Sequence, residues 1–216
     1  MNYWNNIYKN KKHLSIWPWS DIVSLISRFC IKIINNKKSK VLELGCGAGA
    51  NIPFFLTKKS QYFGIDKSEI IINFLKKKYK KRVNLFHGNF ENNPIFEKKY
   101  DLIFDRAAIT HNENHNIKQT IKLIHKSLKK NSIFIGVDWY STGTTYYNKN
   151  KKNFQKFNKG PFKNIGGVYF STKLDMIKFF KDFDILMLQH KKVYNYSKSL
   201  KDSVKISSWT IIAKKK

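Results

Sequence analysis

The residues best placed to do chemistry lie at Val41-Leu42-Glu43-Leu44-Gly45-Cys46-Gly47-Ala48-Gly49-Ala50, where an apolar run passes straight into a glycine turn. Glycines there allow a tight turn and a close backbone approach to a ligand, and the helix predicted to follow offers free N–H groups at its start. Asp66 ends the next apolar run 21 residues after Gly45. A carboxylate at that point can accept hydrogen bonds from both hydroxyls of a ribose. Turn and acid together point to a nucleoside-containing ligand. The looser dinucleotide fingerprint, Gly45-x-Gly47-x-x-Ala50, is also satisfied, so a dehydrogenase-type ligand stays open at this point.

The elements that must hold these residues follow from hydrophobic periodicity. Residues 1 to about 38 are aromatic and then helical; Ser20 is expected as N-cap, with Asp21 in the first turn and Ile22, Leu25, Ile26 and Phe29 at helical spacing. Strands are expected at 40–44, 62–65, 83–86, 100–104 and 132–137, alternating with helices at 51–58, 68–80 and 117–128. That alternation predicts an α/β fold, a parallel sheet covered by helices on both faces. Residues 139–172 are rich in Ser, Thr, Gly, Asn, Lys and aromatics and too long for a simple connection, so they are expected to form a substrate loop or lid. A helix at 173–181 and strand-like stretches at 183–194 and 207–213 close the chain. No repeat or linker divides it, and one domain over 1–216 is expected.

Composition narrows the class. The 216 residues hold 42 Lys+Arg against 14 Asp+Glu, a formal net charge of +28, yet 42% are hydrophobic, which excludes a disordered chain. The longest apolar run, around Phe29 to Ile34, is broken by Lys32 and falls far short of a membrane span. The first residues show no secretory pattern, so a cytoplasmic location is expected, with Cys30 and Cys46 reduced and no metal-ligand spacing. Only Arg28, Arg82 and Arg106 are arginine. An excess carried by lysine, among abundant Asn, Ile, Tyr and Phe, is what adenine- and thymine-rich codons specify; a nucleic-acid binder would place more of it as arginine forks.

The segment Glu43-Leu44-Gly45-Cys46-Gly47-Ala48-Gly49 resembles motif I of the class I S-adenosylmethionine-dependent methyltransferases, an acid followed by Gly-x-Gly-x-Gly. Gly64-Ile65-Asp66-Lys67-Ser68 resembles the second motif of that family, and Tyr100-Asp101-Leu102-Ile103-Phe104-Asp105-Arg106 its fourth strand. The resemblance implies a doubly wound, Rossmann-like sheet of seven strands with an antiparallel C-terminal strand, beneath an N-terminal helical and aromatic cap. It also implies S-adenosyl-L-methionine as cofactor. Gly45, Cys46, Gly47 and Gly49 would pass under its methionine part, Glu43 would support the ammonium, and Asp66 would hold the ribose, with Lys67 beside it. Asn89 and Phe90, in His87-Gly88-Asn89-Phe90, would contact adenine; many relatives carry an acid where this chain has Asn89. Trp17, with Tyr3, Trp4 and Trp19, would fold over the cofactor or staple the first helix to the sheet.

For the acceptor, the resemblance places Asp105 and Arg106 nearest the reacting methyl group, with Asp105 also toward the cofactor. The Asn/Asp-Pro-Pro-Tyr/Phe motif of nucleobase and glutamine amino-methyltransferases is missing from Asp105-Arg106-Ala107-Ala108, which favours oxygen chemistry. His111 is the candidate base for a hydroxyl proton, His115 a weaker one, and Arg106 a clamp for a carboxylate or phosphate. Asp138, at the end of the fifth strand, should face the same cleft. A weaker similarity to methyltransferases of surface-polysaccharide, nucleotide-sugar and thiopurine type makes a small sugar-like or anionic molecule the expected acceptor. An RNA acceptor and a non-catalytic cofactor-binding relative are the alternatives.

Overall fold

A computed structural model describes residues 3–10, 14–196 and 203–216; Met1 and Asn2 of the N-terminal stretch lie outside them. The elements are α1 (Tyr3–Lys9), α2 (Ser20–Ile34), β1 (Lys40–Leu44), α3 (Ile52–Leu56), β2 (Gln61–Asp66), α4 (Glu69–Tyr79) and β3 (Asn84–His87). They continue with β4 (Tyr100–Arg106), α5 (Asn114–Ser127), β5 (Leu128–Tyr140), the short β6 (Phe154–Gln155) and β7 (Val168–Tyr169), α6 (Lys173–Phe179), β8 (Phe183–Asn195) and β9 (Val204–Lys215). Seven strands form one sheet in the order β3-β2-β1-β4-β5-β9-β8. The pairs from β3 to β5 are parallel, and β9 runs antiparallel to both of its neighbours.

Burial on both faces explains the near-continuous apolar strands. Leu42, Leu44, Ile65, Ile103 and Phe134 enter a core on one side, while Val41, Leu102, Phe104, Ile133 and Ile135 enter a second on the other. Alternating side chains thus serve two layers of helices. The strand order reverses between β1 and β4, so the carboxyl ends of those two strands frame a crevice, which is where open sheets of this kind bind ligands.

Two local expectations change. Ser20 is the first helical residue, and the cap position belongs to Trp19, whose carbonyl accepts from Val23 N. Trp19 N is held instead by Asn51 Oδ1 at 3.1 Å. Strand β5 runs well past 132–137 because β9 pairs along it, with a register shift between Gly136 and Trp139; Asp138 sits in that bulge at φ +56. The segment 139–172 folds on itself. The β6/β7 pair and a third apolar cluster of Ile7, Phe162, Ile165, Val168 and Phe170 fix it against α1.

Candidate functional site

At the carboxyl end of the sheet a cavity of about 710 Å³ opens between the turn after β1, helix α1 and the 139–172 segment. The backbone turns out of β1 with Gly45, Gly47 and Gly49 at φ +67, +50 and +76, a region that glycine enters without a steric penalty. A methyl group on Gly45 would lie 2.3 Å from Ala108 Cβ, so the turn packs directly against the segment after β4. Gly45 N and Cys46 N both donate to Ile65 O, locking the turn to β2.

Asp66 is buried at the tip of β2 and lines the cavity. Its Oδ2 accepts from Gly47 N at 2.9 Å and its Oδ1 from Ser68 N at 2.8 Å. Burial raises its pKa and those two N–H groups pull it back. Each carboxylate oxygen keeps acceptor capacity beyond these bonds. Cys46 and Lys67 also lie on the wall; the thiol is buried and raised well above its usual pKa by desolvation, while Lys67 is exposed. Asn89 and Phe90 follow β3 on the same wall, Asn89 exposed and Phe90 resting on the core.

Glu43 is buried under the turn, with Oε1 accepting from Asn51 Nδ2 at 2.8 Å and Oε2 from the Tyr62 hydroxyl. Desolvation outweighs those bonds and pushes its carboxyl up to about 8 from 4.5. The same cause takes Asp105 to about 7 from 3.8. Folded carboxyls that bind protons more tightly than unfolded ones give stability that is full at low pH and is lost as pH rises through their folded pKa values. The thermal midpoint is therefore expected to fall as pH rises from 4.5 to 8, and Glu43→Gln, which can still pair with Asn51 and Tyr62, to make that fall shallower. An unchanged slope in unfolding scans of Glu43→Gln would refute the assignment.

The segment after β4 departs from expectation. Asp105 is fully buried and absent from the cavity wall. Its Oδ2 accepts from Ala108 N at 2.8 Å and Ile109 N at 2.9 Å, and its Oδ1 from Trp139 Nε1 at 2.6 Å. Asp105 thus shapes the turn 107–111 and neither reaches the cofactor crevice nor pairs with Arg106. The Arg106 guanidinium lines the cavity and instead pairs with Asp138 through Nη2 at 2.6 Å and with Asp21 through Nε at 3.2 Å. It also stacks over the Trp19 ring at 3.9 Å, tying α2 to the ends of β4 and β5.

His111 lines the cavity, and its Nδ1 sits 2.8 Å from Gly167 O. Its ring meets Trp4 and Tyr140 edge-on at 5.4 and 6.3 Å. Beside it Thr110 Oγ1 donates to Tyr169 O, so the turn built on Asp105 grips β7. His115 is 73% exposed next to Glu113 and off the wall. Trp17 is 75% exposed and off the wall as well, and Trp19 takes the place over the cavity. Sequence reasoning missed Tyr8, whose hydroxyl closes over Gly47, as well as Tyr140, Phe154 and Phe162 on the cavity wall. The i, i+4 spacing of Trp4 and Tyr8 was the available signal.

A family described as a methyltransferase domain matches residues 41–131. A curated relative, the sarcosine/dimethylglycine N-methyltransferase of Aphanothece halophytica, is 26% identical over 127 residues, 54% of this chain and 44% of that protein. The chain thus spans less than half the length of that relative. Among solved structures, a SAM-dependent methyltransferase from Anabaena variabilis superposes with a TM-score of 0.70 at 15% identity, over 99% of this chain and 92% of that one. TehB from Haemophilus influenzae gives 0.65 at 18%, over 97% and 66%. At such identities the structures speak for the fold alone. The methyltransferase-domain match begins in β1 and ends in β5, so it takes in the glycine turn, Asp66 and His111, and over that part the chain is similar to S-adenosylmethionine-dependent methyltransferases.

Proposed function

We propose that the chain methylates a hydroxyl oxygen of a small, sugar-like acceptor held between Arg106, His111 and the 139–172 segment. The family's cofactor, S-adenosyl-L-methionine, supplies an electrophilic methyl group on a cationic sulfur. The residues present fit it. The glycine turn leaves the wall bare where a methyl on Gly47 would press on the Tyr8 hydroxyl at 2.9 Å, and Asp66 lies beside it with acceptor capacity to spare. Asp66 would hold the ribose hydroxyls, Gly45, Cys46, Gly47 and Gly49 the methionine part, and Glu43 its ammonium. Asn89 and Phe90 would meet the adenine, and Lys67 would flank the ribose. The rings of Trp4, Tyr8 and Trp19 exclude water from the same wall.

The observation that carries the oxygen reading is His111. A carbonyl only accepts, so the neutral ring keeps its proton on Nδ1 against Gly167 O and has its lone pair on Nε2, the form that takes a proton from a hydroxyl. Arg106 is committed to two aspartates, which spends its charge within the protein and favours an uncharged acceptor over an anionic one. Among the described residues the cavity wall sets Asp66 and Glu113 beside Lys67, Lys156 and an Arg106 already paired with two aspartates, which speaks against RNA as the acceptor. An open cavity of this size argues against a non-catalytic relative, whose cleft the lid would fill. A second reading, an amine acceptor, follows from the name of the Aphanothece relative and from the rings of Trp4, Trp19 and Tyr140, which can hold a cation.

The test is transfer of tritiated methyl from S-adenosylmethionine into separated sugars, amines and RNA. Label in a hydroxyl of a sugar fraction is expected. Label confined to amines or RNA would overturn the oxygen assignment, and no label with intact cofactor binding would favour the non-catalytic alternative.

A further inference from the structure

The lysines follow the topology. At the end of the sheet opposite the cavity, the parallel strands β1 to β5 and β8 begin and the antiparallel β9 ends. Moving across the sheet from β3, each strand brings basic residues to that end: 80–82 before β3, 58–59 before β2, 37–38 before β1 and 98–99 before β4. Then come 129–130 at the start of β5, 214–216 at the end of β9, and Lys181 before β8. Segments from residue 37 to residue 216 therefore converge on one edge. With strands about 4.8 Å apart, seven of them set out a row of cations roughly 29 Å long.

Few acids interrupt it. Glu97, Asp101, Asp182 and Asp184 share this end, with Asp101 bound to Lys129 at 2.8 Å and Asp184 lying 3.8 Å from Lys216. The cations crowd one another: Lys215 is pushed to a lower pKa by burial and then by Lys99, from two strands away in the sheet. Lysines 37, 38, 80 and 81 are exposed, with no ion pair recorded for them among the described residues.

We propose that this edge of the sheet, remote from the cavity, is a docking surface for the phosphate backbone of a single-stranded nucleic acid. A line of cations matches a linear polyanion, whereas a lipid surface would be met by a two-dimensional patch. Arg82 is the one arginine on the edge, so the forks that read bases are almost lacking and binding should ignore sequence. Because the surface lies away from the cavity, it does not depend on what the enzyme methylates.

Fluorescence anisotropy with a labelled uridine oligonucleotide of about 20 nucleotides tests this across a salt series. The combined variant Lys37→Glu, Lys38→Glu, Lys80→Glu and Lys81→Glu should bind at least about tenfold more weakly, with a log affinity against log salt slope shallower by roughly 2 to 3. A control with the same change in net charge, Lys118→Glu, Lys122→Glu, Lys173→Glu and Lys178→Glu on α5 and α6, should stay within about threefold of the parent. Calorimetric titration with S-adenosylmethionine, unchanged in both, shows that each is folded. Equal losses in the two variants would reduce the effect to net charge and overturn the proposal. So would no binding by the parent at about 0.15 M salt, or binding to phosphatidylserine vesicles without binding to the oligonucleotide.

Discussion

Asp66→Ala is expected to weaken S-adenosylmethionine binding by about a hundredfold or more while the chain stays folded. The carboxylate already accepts from Gly47 N at 2.9 Å and Ser68 N at 2.8 Å, which fixes the turn after β1 relative to the start of α4. Its remaining lone pairs are the acceptors for a ribose diol, and hydrogen bonds to a charged group contribute roughly 1.5–3 kcal/mol each. Two such bonds lost amount to roughly 3–6 kcal/mol, or two to four decades of affinity at about 1.4 kcal/mol per decade. Asp66→Asn, which retains one acceptor, should fall between parent and alanine variant. Calorimetric titration gives the affinities and thermal unfolding the state of the fold. An Asp66→Ala chain that binds within about threefold of the parent would place the ribose elsewhere.

What the sequence disclosed about this pocket follows from what local chemistry determines. The glycine turn and Asp66 were legible because positive φ values and a strand-terminal carboxylate leave a signature in residue type and spacing. The sheet was legible because buried strands such as β1 read as unbroken apolar runs. The side chains around the acceptor end were not, since their orientation depends on partners far away in the chain. Asp105 looked exposed to the cleft, but the N–H groups of Ala108 and Ile109 and the Trp139 indole draw it inward. Arg106 found Asp21 and Asp138 rather than its neighbour, Asp138 being turned by the bulge in β5. Trp17 and Trp19 are the same residue type two positions apart, and it is contacts distant in the chain, from Trp19 N to Asn51 and from the Trp19 ring to Arg106, that hold Trp19 at the cavity. The lysine pairs were visible one by one, whereas their alignment exists only once strand order is known.

Methyl transfer should fall by about two to four decades in His111→Ala, the range for loss of a general base. His111 also holds the 139–172 segment through Gly167 O, so the alanine variant alone would mix lost chemistry with a loosened cavity. His111→Asn separates them: its amide N–H can replace Nδ1 against Gly167 O, yet it supplies no base. If His111 takes the acceptor's proton, both variants lose kcat to a similar degree, cofactor affinity holds, and the rising limb of the parent's pH–rate profile disappears. Added imidazole should then restore part of the rate to the alanine variant, where the ring has left space next to Trp4 and Tyr140. If His111 serves only to pin the 139–172 segment, His111→Asn retains most of its activity and its pH dependence, and the loss in His111→Ala appears chiefly in KM. Full activity in the asparagine variant would therefore remove the base from this site and leave the amine acceptor, which can react as a free amine, as the better reading of the same cavity.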